Sequence, residues 1–288
     1  MPLLTLKDIL DPASRQAYAV GAFNVISLEY LEAIVSAAER LRSPVILNVA
    51  EVHLAYINLD VITPAILHRA RHASVPIALN LDHGLKFETI VRAVRNGFSS
   101  VMFDGSHLPF EENIAQTREV TRLCHAVNVS VEAELGAVGG SEGGELVGTV
   151  DPNRYTDPAQ AEEFVRQTGI DALAIAFGNA HGKYKGAPML DFARLDAIKK
   201  SVGIPLVLHG GSGIPDEDFK KAISLGIAKV NYFTGMAQAS IDTLKTAITH
   251  RNVELKYNAY PDLMLLVQNN VSAVVAAQMA VFGSVGKA

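Results

Sequence analysis

The residues in this sequence that are best suited to catalysis follow short apolar segments. Asp82 and His83 come directly after the mostly apolar residues 76–81 and before a glycine, a pattern typical of a buried strand that ends in a turn. His181 and His209 also follow apolar segments. Neutral imidazoles bind Zn²⁺, and three of them leave one position for substrate, so these three histidines are a candidate catalytic zinc site.

Both observations have simpler explanations. Asp82 can be a helix cap beside a surface His83, and the wide separation of the three histidines is no local zinc motif. What favours a site is the position of these residues at the ends of different strands.

The elements that must position these residues alternate along the whole chain. Eight short, nearly continuous apolar strands are predicted, each followed by a helix, at residues 18–24, 44–49, 76–82, 100–103, 130–135, 172–176, 205–209 and 229–232. Strands buried on both faces favour a closed parallel barrel over an open doubly wound sheet. We therefore predict an α/β fold, a (βα)8 TIM barrel, as a single domain over residues 1–288 with extra helices at the C-terminus.

Catalytic residues of such barrels lie at the carboxyl ends of the strands. In addition to Asp82 and the histidines, polar residues end three further strands: Asp104 follows strand four, Glu132 and Glu134 lie late in strand five, and Asn231 lies near the end of strand eight. Six consecutive strands thus direct polar side chains to one rim. The sequence predicts that the functional site lies there.

Two glycine-rich segments add candidate functions. Gly210, Gly211 and Ser212 follow strand seven and precede a helix, which is typical of an anion-binding loop, and Lys185 in the sixth loop adds positive charge. A tight turn is the alternative. The loop at 136–156 is typical of a mobile lid that carries carboxylates into the site, and a solvated loop is its alternative.

The composition excludes several classes of partner. The 288 residues are 49% hydrophobic with a net charge of −5, so no basic face for nucleic acid is expected and phosphate recognition must be local. Cys124 is the single cysteine, and we interpret it as structural. There is no N-terminal leader pattern and no uninterrupted apolar run of about 18 residues. We predict a soluble cytoplasmic protein without a membrane partner.

The motifs of the chain, taken together, resemble the class II, zinc-dependent ketose-bisphosphate aldolases, which include fructose- and tagatose-bisphosphate aldolases. The similarity runs from about residue 24 to residue 287. It is carried by the segments 21–24 (GAFN), 82–84 (DHG), 103–106 (FDGS) with 109–113 (PFEEN), 131–136 (VEAELG), 178–182 (GNAHG) and 209–213 (HGGSG).

This resemblance implies a reaction and a role for each motif. His83, His181 and His209 would hold Zn²⁺, and Asp82 would exchange the proton of the substrate's C4 hydroxyl during reversible carbon–carbon cleavage. A loop glutamate, Glu142 or as second choice Glu145, would protonate the resulting ene-diolate to release dihydroxyacetone phosphate.

The resemblance also implies the supporting groups. Acidic residues near the metal would orient ligands or hold an alternative zinc position: Asp104 and Glu134. Substrate and its C1 phosphate would contact Asn24, Gly182, Lys185, Gly210, Gly211, Ser212, Asn231 and Thr234. A monovalent cation, Na⁺ or K⁺, would lie beside the phosphate, and the protein would be a homodimer or homotetramer in carbohydrate metabolism such as glycolysis.

Three departures from the family pattern concern the substrate. Ala50 stands where many members have a serine, Phe233 follows Tyr232 where a short residue or aspartate is common, and residues 271–282 contain no Arg or Lys where members place an arginine for a second phosphate. We hypothesise that the C1 phosphate is retained while the distal end is uncharged, sugar-acid-like or otherwise modified. A basic loop residue that supplies the missing charge is the alternative.

Two other classes of function use the same residues. A metal-dependent hydrolase or epimerase acting on a sugar phosphate would activate water or move a proton without breaking a carbon–carbon bond. A non-catalytic sugar-phosphate binder would be expected to lose Asp82 or one of the histidines, and the chain has all of them.

Overall fold

Eight parallel strands form a closed barrel in the computed structural model of the chain, which describes residues 3–140, 146–147, 150–186, 188–249 and 259–288. Each strand pairs with its neighbours in chain order, and β1 pairs with β8 to close the barrel. The TIM-barrel prediction is therefore confirmed. The strands are β1 (Val20–Asn24), β2 (Val45–Ala50), β3 (Ile77–Gly84), β4 (Ser100–Phe103), β5 (Ser130–Leu135), β6 (Ala172–Ile175), β7 (Leu206–Leu208) and β8 (Ile227–Tyr232).

Helices alternate with these strands and cover the barrel. They are α1 (Leu6–Gln16), α2 (Leu28–Leu41), α3 (Leu59–Arg71), α4 (Phe87–Arg95), α5 (Phe110–His125), α6 (Pro158–Thr168), α7 (Phe192–Ser201), α8 (Asp216–Ser224), α9 (Thr234–Thr249) and α10 (Tyr260–Val281). Several of these helices begin at a residue whose side chain caps the helix N-terminus. Ser27 caps α2, and Asp157 caps α6 with proline at its first position.

The barrel interior is divided into an apolar lower half and a polar upper half. The lower half shares one buried cluster with α1, which covers the amino-terminal end of the barrel through Leu6, Ile9 and Leu10. The upper half, at the carboxyl ends of the strands, contains buried polar side chains from several strands. The strands thus bury apolar surface at one end and present the predicted functional residues at the other.

Helix α10 packs against α2 and α9. Its buried residues Val267, Val271, Val275 and Met279 recur every fourth position and so form one face of the helix. By length and mean hydropathy alone α10 meets the requirement for a membrane span, a requirement that core helices of soluble proteins also meet. The α2 packing accounts for its apolar buried face.

The described part of the loop after β5 contains short regular elements that the sequence analysis did not predict. Pro152–Arg154 form a 3-10 turn, and two short parallel pairs join this loop to the one after β6. Gly139–Gly140 pair with Ala180–His181, and Leu146–Val147 pair with Lys183–Tyr184. The loop is therefore attached to the segment that carries His181.

Candidate active site

A bulge at the end of β3 directs two consecutive side chains into the barrel mouth. Successive side chains of a regular strand point to opposite faces, so Asp82 and His83 would normally diverge. The pairing register between β3 and β4 shifts between Leu81 and Gly84, and His83 has a φ of +45°, in the left-handed region. Both side chains consequently reach the same site.

The three predicted histidines converge there, with ligand nitrogens within 4.8 Å of one another. His83 Nδ1 lies 2.9 Å from Asp104 Oδ2, and His209 Nε2 lies 2.8 Å from Glu132 Oε1. Carboxylates accept hydrogen bonds, so both of these ring nitrogens carry the proton and donate. The opposite nitrogens, His83 Nε2 and His209 Nδ1, therefore present lone pairs to each other at 2.9 Å. His181 completes the group, with its ring centroid 4.8 Å from that of His83.

Two facing lone pairs require a cation between them. Burial disfavours an imidazolium at His83, but Asp82 and Asp104 outweigh burial and raise the pKa of His83 to about 10. Burial and the positive charge of His83 hold the pKa of both His181 and His209 well below the usual value. Without a metal the cluster thus holds one positive charge as a proton on His83.

Asp82 is fully buried beside this cluster. Burial alone would raise its pKa, but the charges of His83 and Lys229 outweigh burial and lower the pKa below its usual value. Asn231 Nδ2 donates to Asp82 Oδ1 at 2.8 Å, whereas Oδ2 has no hydrogen-bond partner among the described residues. Asp82 is therefore an oriented carboxylate with one oxygen ready to accept a proton.

Glu132 and Lys229 form a buried ion pair behind His209 that the sequence analysis did not assign. Lys229 Nζ donates to Glu132 Oε2 at 2.5 Å, and both side chains are fully buried. The pair fixes the tautomer of His209, because the other oxygen of Glu132 accepts from His209 Nε2. The signal that could have found Lys229 is its position two residues before Asn231, which places both on one strand face.

The two acidic residues predicted near the metal form a second group with His83. His83, Asp104 and Glu134 place ligand atoms within 4.8 Å of one another. Asp104 Oδ1 accepts from the Ser106 hydroxyl at 2.7 Å, which fixes the carboxylate toward His83. Burial, and after it the charge of Asp104, raises the pKa of Glu134 to about 8. Glu134 Oε2 has no hydrogen-bond partner among the residues that the structure describes.

The glycine-rich loop after β7 packs tightly against the loop that carries His181. Gly210 has a φ of +67°, and a Cβ there would lie 2.1 Å from the Ala180 carbonyl oxygen. The Tyr184 hydroxyl joins the two loops, since it donates to the Gly210 carbonyl at 3.1 Å and accepts from the Ala180 N–H at 2.7 Å. Glycine is required at this position because no other side chain fits.

A cavity of about 320 Å³ lies beside this loop, and the predicted phosphate residues Lys185, Ser212 and Thr234 line it. Ser212 Oγ accepts from the Gly235 N–H at 2.9 Å at the start of α9. A second lysine that the sequence analysis missed, Lys183, also lines the cavity and donates to Gln238. Cationic side chains beside a helix N-terminus suit an anion.

The remaining predicted residues divide into two groups. Asn24 is buried at the end of β1, and buried Gly182 and Gly211 flank the histidine and serine positions of the loops after β6 and β7. Glu142 and Glu145, the two candidate proton donors of the lid, lie outside the described residues.

The donor set fits a zinc ion. Three imidazoles are a common catalytic zinc set, and carboxylates hold the outer nitrogens of His83 and His209 so that the inner nitrogens face the site. With Asp82 beside the cluster, such a site combines a Lewis acid with a general base.

Comparison with known proteins identifies the family. A family model described as fructose-bisphosphate aldolase class-II matches residues 4–287. The fructose-bisphosphate aldolase of Geobacillus stearothermophilus is 43% identical over 293 residues, covering 100% of this chain and 99% of that protein. A Bacillus subtilis (strain 168) protein named "Probable fructose-bisphosphate aldolase" is 42% identical over 292 residues and 100% of both chains. The crystal structure of the YdjI aldolase from Escherichia coli K12 superposes with a TM-score of 0.87 at 36% identity over 100% of both chains. The chain therefore belongs to the class II fructose-bisphosphate aldolase family and is an aldolase, a class of lyase.

Proposed function

We propose that this protein is a zinc-dependent aldolase that reversibly cleaves a ketose 1-phosphate or a ketose 1,6-bisphosphate of the fructose or tagatose type. The products are dihydroxyacetone phosphate and an aldehyde. The observation that carries the proposal is the buried Asp82 carboxylate, whose Oδ2 has no partner among the described residues, directly beside three converging histidines.

His83, His181 and His209 would hold the zinc ion. When bound, zinc supplies a Lewis acid that stabilises the negative charge left by carbon–carbon cleavage. Asp82 Oδ2 accepts the proton of the C4 hydroxyl, and Asn231 keeps the carboxylate in position through Oδ1. Lys185, Ser212 and Thr234 bind the C1 phosphate in the cavity after β6 to β8.

The proposal also covers the remaining residues of the site, the ions and the assembly. Asp104 and Glu134 orient the metal ligands or hold an alternative metal position, Glu142 or Glu145 donates the final proton, and Na⁺ or K⁺ lies beside the phosphate. Asn24, Gly182, Gly210 and Gly211 complete the substrate site. The protein is a single domain over residues 1–288 and a cytoplasmic homodimer or homotetramer.

The composition of helix α10 favours a substrate without a second phosphate at its distal end. The sequence of α10 contains Asp262 as its one charged residue and no Arg or Lys. A dianionic group beside such a helix would have no cation from it to compensate its charge.

The first experiment measures dihydroxyacetone phosphate release from fructose 1,6-bisphosphate, tagatose 1,6-bisphosphate and several ketose 1-phosphates, with chelator and after zinc is restored. We expect release that chelator abolishes and zinc restores. Another product without dihydroxyacetone phosphate would instead indicate a metal-dependent hydrolase or epimerase.

The variant Asp82→Asn tests the base. We expect the variant to retain zinc while its turnover number falls about 10²- to 10⁴-fold, because the amide cannot accept the proton. The matched control is Asp196→Asn, which changes a solvent-accessible carboxylate that pairs with Lys200. Full activity of Asp82→Asn would reject the assignment.

A further inference from the structure

The end of β2 brings a histidine to Asp82 that has no role in the proposal so far. Ala50 pairs with Asp82 in the register of β2 and β3, and its side chain offers no polar atom. A 3-10 helix, Glu51–Ala55, begins directly after Ala50. His53 is the third residue of this helix. It lies near enough to Asp82 for the two side chains to interact electrostatically.

His53 packs against the segment that follows β8, a strand that β1 separates from β2 in the barrel. Its ring packs on Phe233 with 4.4 Å between centroids, and only 5% of the residue is exposed. Phe233 stands between the end of β8 and Thr234, the first residue of α9. The pair therefore joins the loop after β2 to the start of α9, where Thr234 lines the phosphate cavity.

The segment that carries His53 is fixed rather than free. The Glu51 carboxylate accepts from the Leu85 N–H at 2.7 Å and from the Thr89 hydroxyl at 3.0 Å, which joins the 3-10 helix to the loop after β3 and to α4. The His53 carbonyl accepts from the N–H groups of Tyr56 and Ile57. A side chain held in this way is preorganised to contact a ligand.

The charges at this side of the mouth are unfavourable to a phosphate. Asp82 and Glu51 are carboxylates, and burial lowers the pKa of His53 although Asp82 opposes that effect. A neutral imidazole can donate a hydrogen bond to a hydroxyl or accept one from it. It has no positive charge to compensate a phosphate dianion.

We infer that His53, backed by Phe233, is the specificity-determining residue for the aldehyde half of the substrate, where it binds a hydroxyl beyond C4 and selects an uncharged hydroxyaldehyde over a phosphorylated one. The inference rests on the proposed function, because the position of the C4 hydroxyl at Asp82 places the aldehyde half beside His53. It concerns binding and leaves the chemistry at Asp82 unchanged.

The test runs the reaction as condensation of dihydroxyacetone phosphate with glyceraldehyde, glyceraldehyde 3-phosphate or propionaldehyde, using the zinc-loaded full chain. We expect the wild type to prefer glyceraldehyde. In His53→Ala the KM for glyceraldehyde rises at least about tenfold, as for a lost hydrogen bond, whereas the KM for dihydroxyacetone phosphate and the kinetics with propionaldehyde change less than about twofold. His53→Gln restores part of the loss.

Phe233→Leu is the second variant, and we expect it to raise the glyceraldehyde KM without altering that of dihydroxyacetone phosphate. His107→Ala, at an exposed histidine of the same rim, is the control and leaves all three acceptors unchanged. Zinc content and thermal midpoint are measured for every variant, and a His53→Ala protein that does not fold leaves His53→Gln and Phe233→Leu to decide.

Equal changes for all three acceptors, or a wild type that prefers glyceraldehyde 3-phosphate, overturn the inference and leave the aldolase proposal intact. A wild type that catalyses no zinc-dependent condensation with any acceptor overturns both.

Discussion

At the scale of single residues, the buried Lys229–Glu132 pair connects stability to the metal site. Glu132 uses one oxygen for His209 and the other for Lys229, in a position with no solvent. Removing one member of such a pair leaves an uncompensated buried charge, which is far more costly than removing both. The pair therefore determines both how His209 is held and how stable the barrel is.

We predict that Lys229→Met lowers the free energy of unfolding by about 3–5 kcal/mol in urea titrations. The double variant Lys229→Met/Glu132→Gln should recover most of that loss, because no charge remains buried. Glu132→Gln alone should weaken zinc binding about 10- to 100-fold in chelator competition. Lys220→Met, at an exposed lysine, is the control. Equal losses in the single and double variants would contradict the argument.

Zinc binding should release a proton from the cluster. The pKa of His83 is raised to about 10 in the metal-free protein, so at neutral pH a proton must leave before the nitrogen can bind metal. Zinc affinity should therefore rise about tenfold per pH unit between about pH 7 and 9 and level off above about pH 10. Calorimetry in two buffers of different ionisation enthalpy should count about one proton at pH 7, and fewer for Asp104→Asn. A count of zero would show that His83 is already neutral.

At the scale of elements, the loop between β7 and α8 depends on one glycine. Gly210→Ala would place a Cβ 2.1 Å from the Ala180 carbonyl oxygen at a φ of +67°. We predict a loss of at least about 2 kcal/mol in unfolding free energy and a higher KM for substrate, because the loop must move away from the phosphate cavity. Gly203→Ala is the matched control, since its Cβ would meet nothing within 4 Å. Equal unfolding free energies and equal KM values for the two variants would show that the close packing of this loop affects neither stability nor substrate binding.

The positions of the strands could be predicted from the sequence, whereas the directions of several side chains could not. Strands of a parallel barrel are buried on both faces, so they read as apolar runs bounded by proline or glycine. Alternation along β3, however, would separate Asp82 from His83, and only the bulge brings them together. The bulge depends on pairing with β4, which no local pattern reveals.

Contacts across the barrel could not be predicted from the sequence either. Lys229 and Glu132 are 97 residues apart and meet only because the barrel closes. The histidine set could be selected from the sequence because each member lies at or after the end of a strand, and the structure places their ligand nitrogens within 4.8 Å of one another. The role inferred for His53 was missed because it depends on the 3-10 helix after β2 and on the contact with Phe233, which no local pattern indicates.

At the scale of the whole molecule, the outward side of the C-terminal helices has an unusual composition. Four large apolar residues of α9 and α10 are exposed: Ile241, Ile248, Tyr260 and Leu265. The buried stripe of α10 already packs on α2, so these side chains require another explanation. Apolar surface of this kind suits contact with a second copy, in agreement with the proposed homodimer or homotetramer.

We predict that Leu265→Glu weakens self-association at least about tenfold, because a carboxylate would have to be buried in an apolar interface. Sedimentation velocity over a range of concentrations measures the change, while zinc content and thermal midpoint report whether the subunit is intact. Val127→Glu introduces the same charge at an exposed apolar residue beyond the end of α5 and should leave the assembly unchanged. A wild type that sediments as a monomer would reject the assembly itself, whereas an oligomer that tolerates Leu265→Glu would place the interface on another face of the barrel.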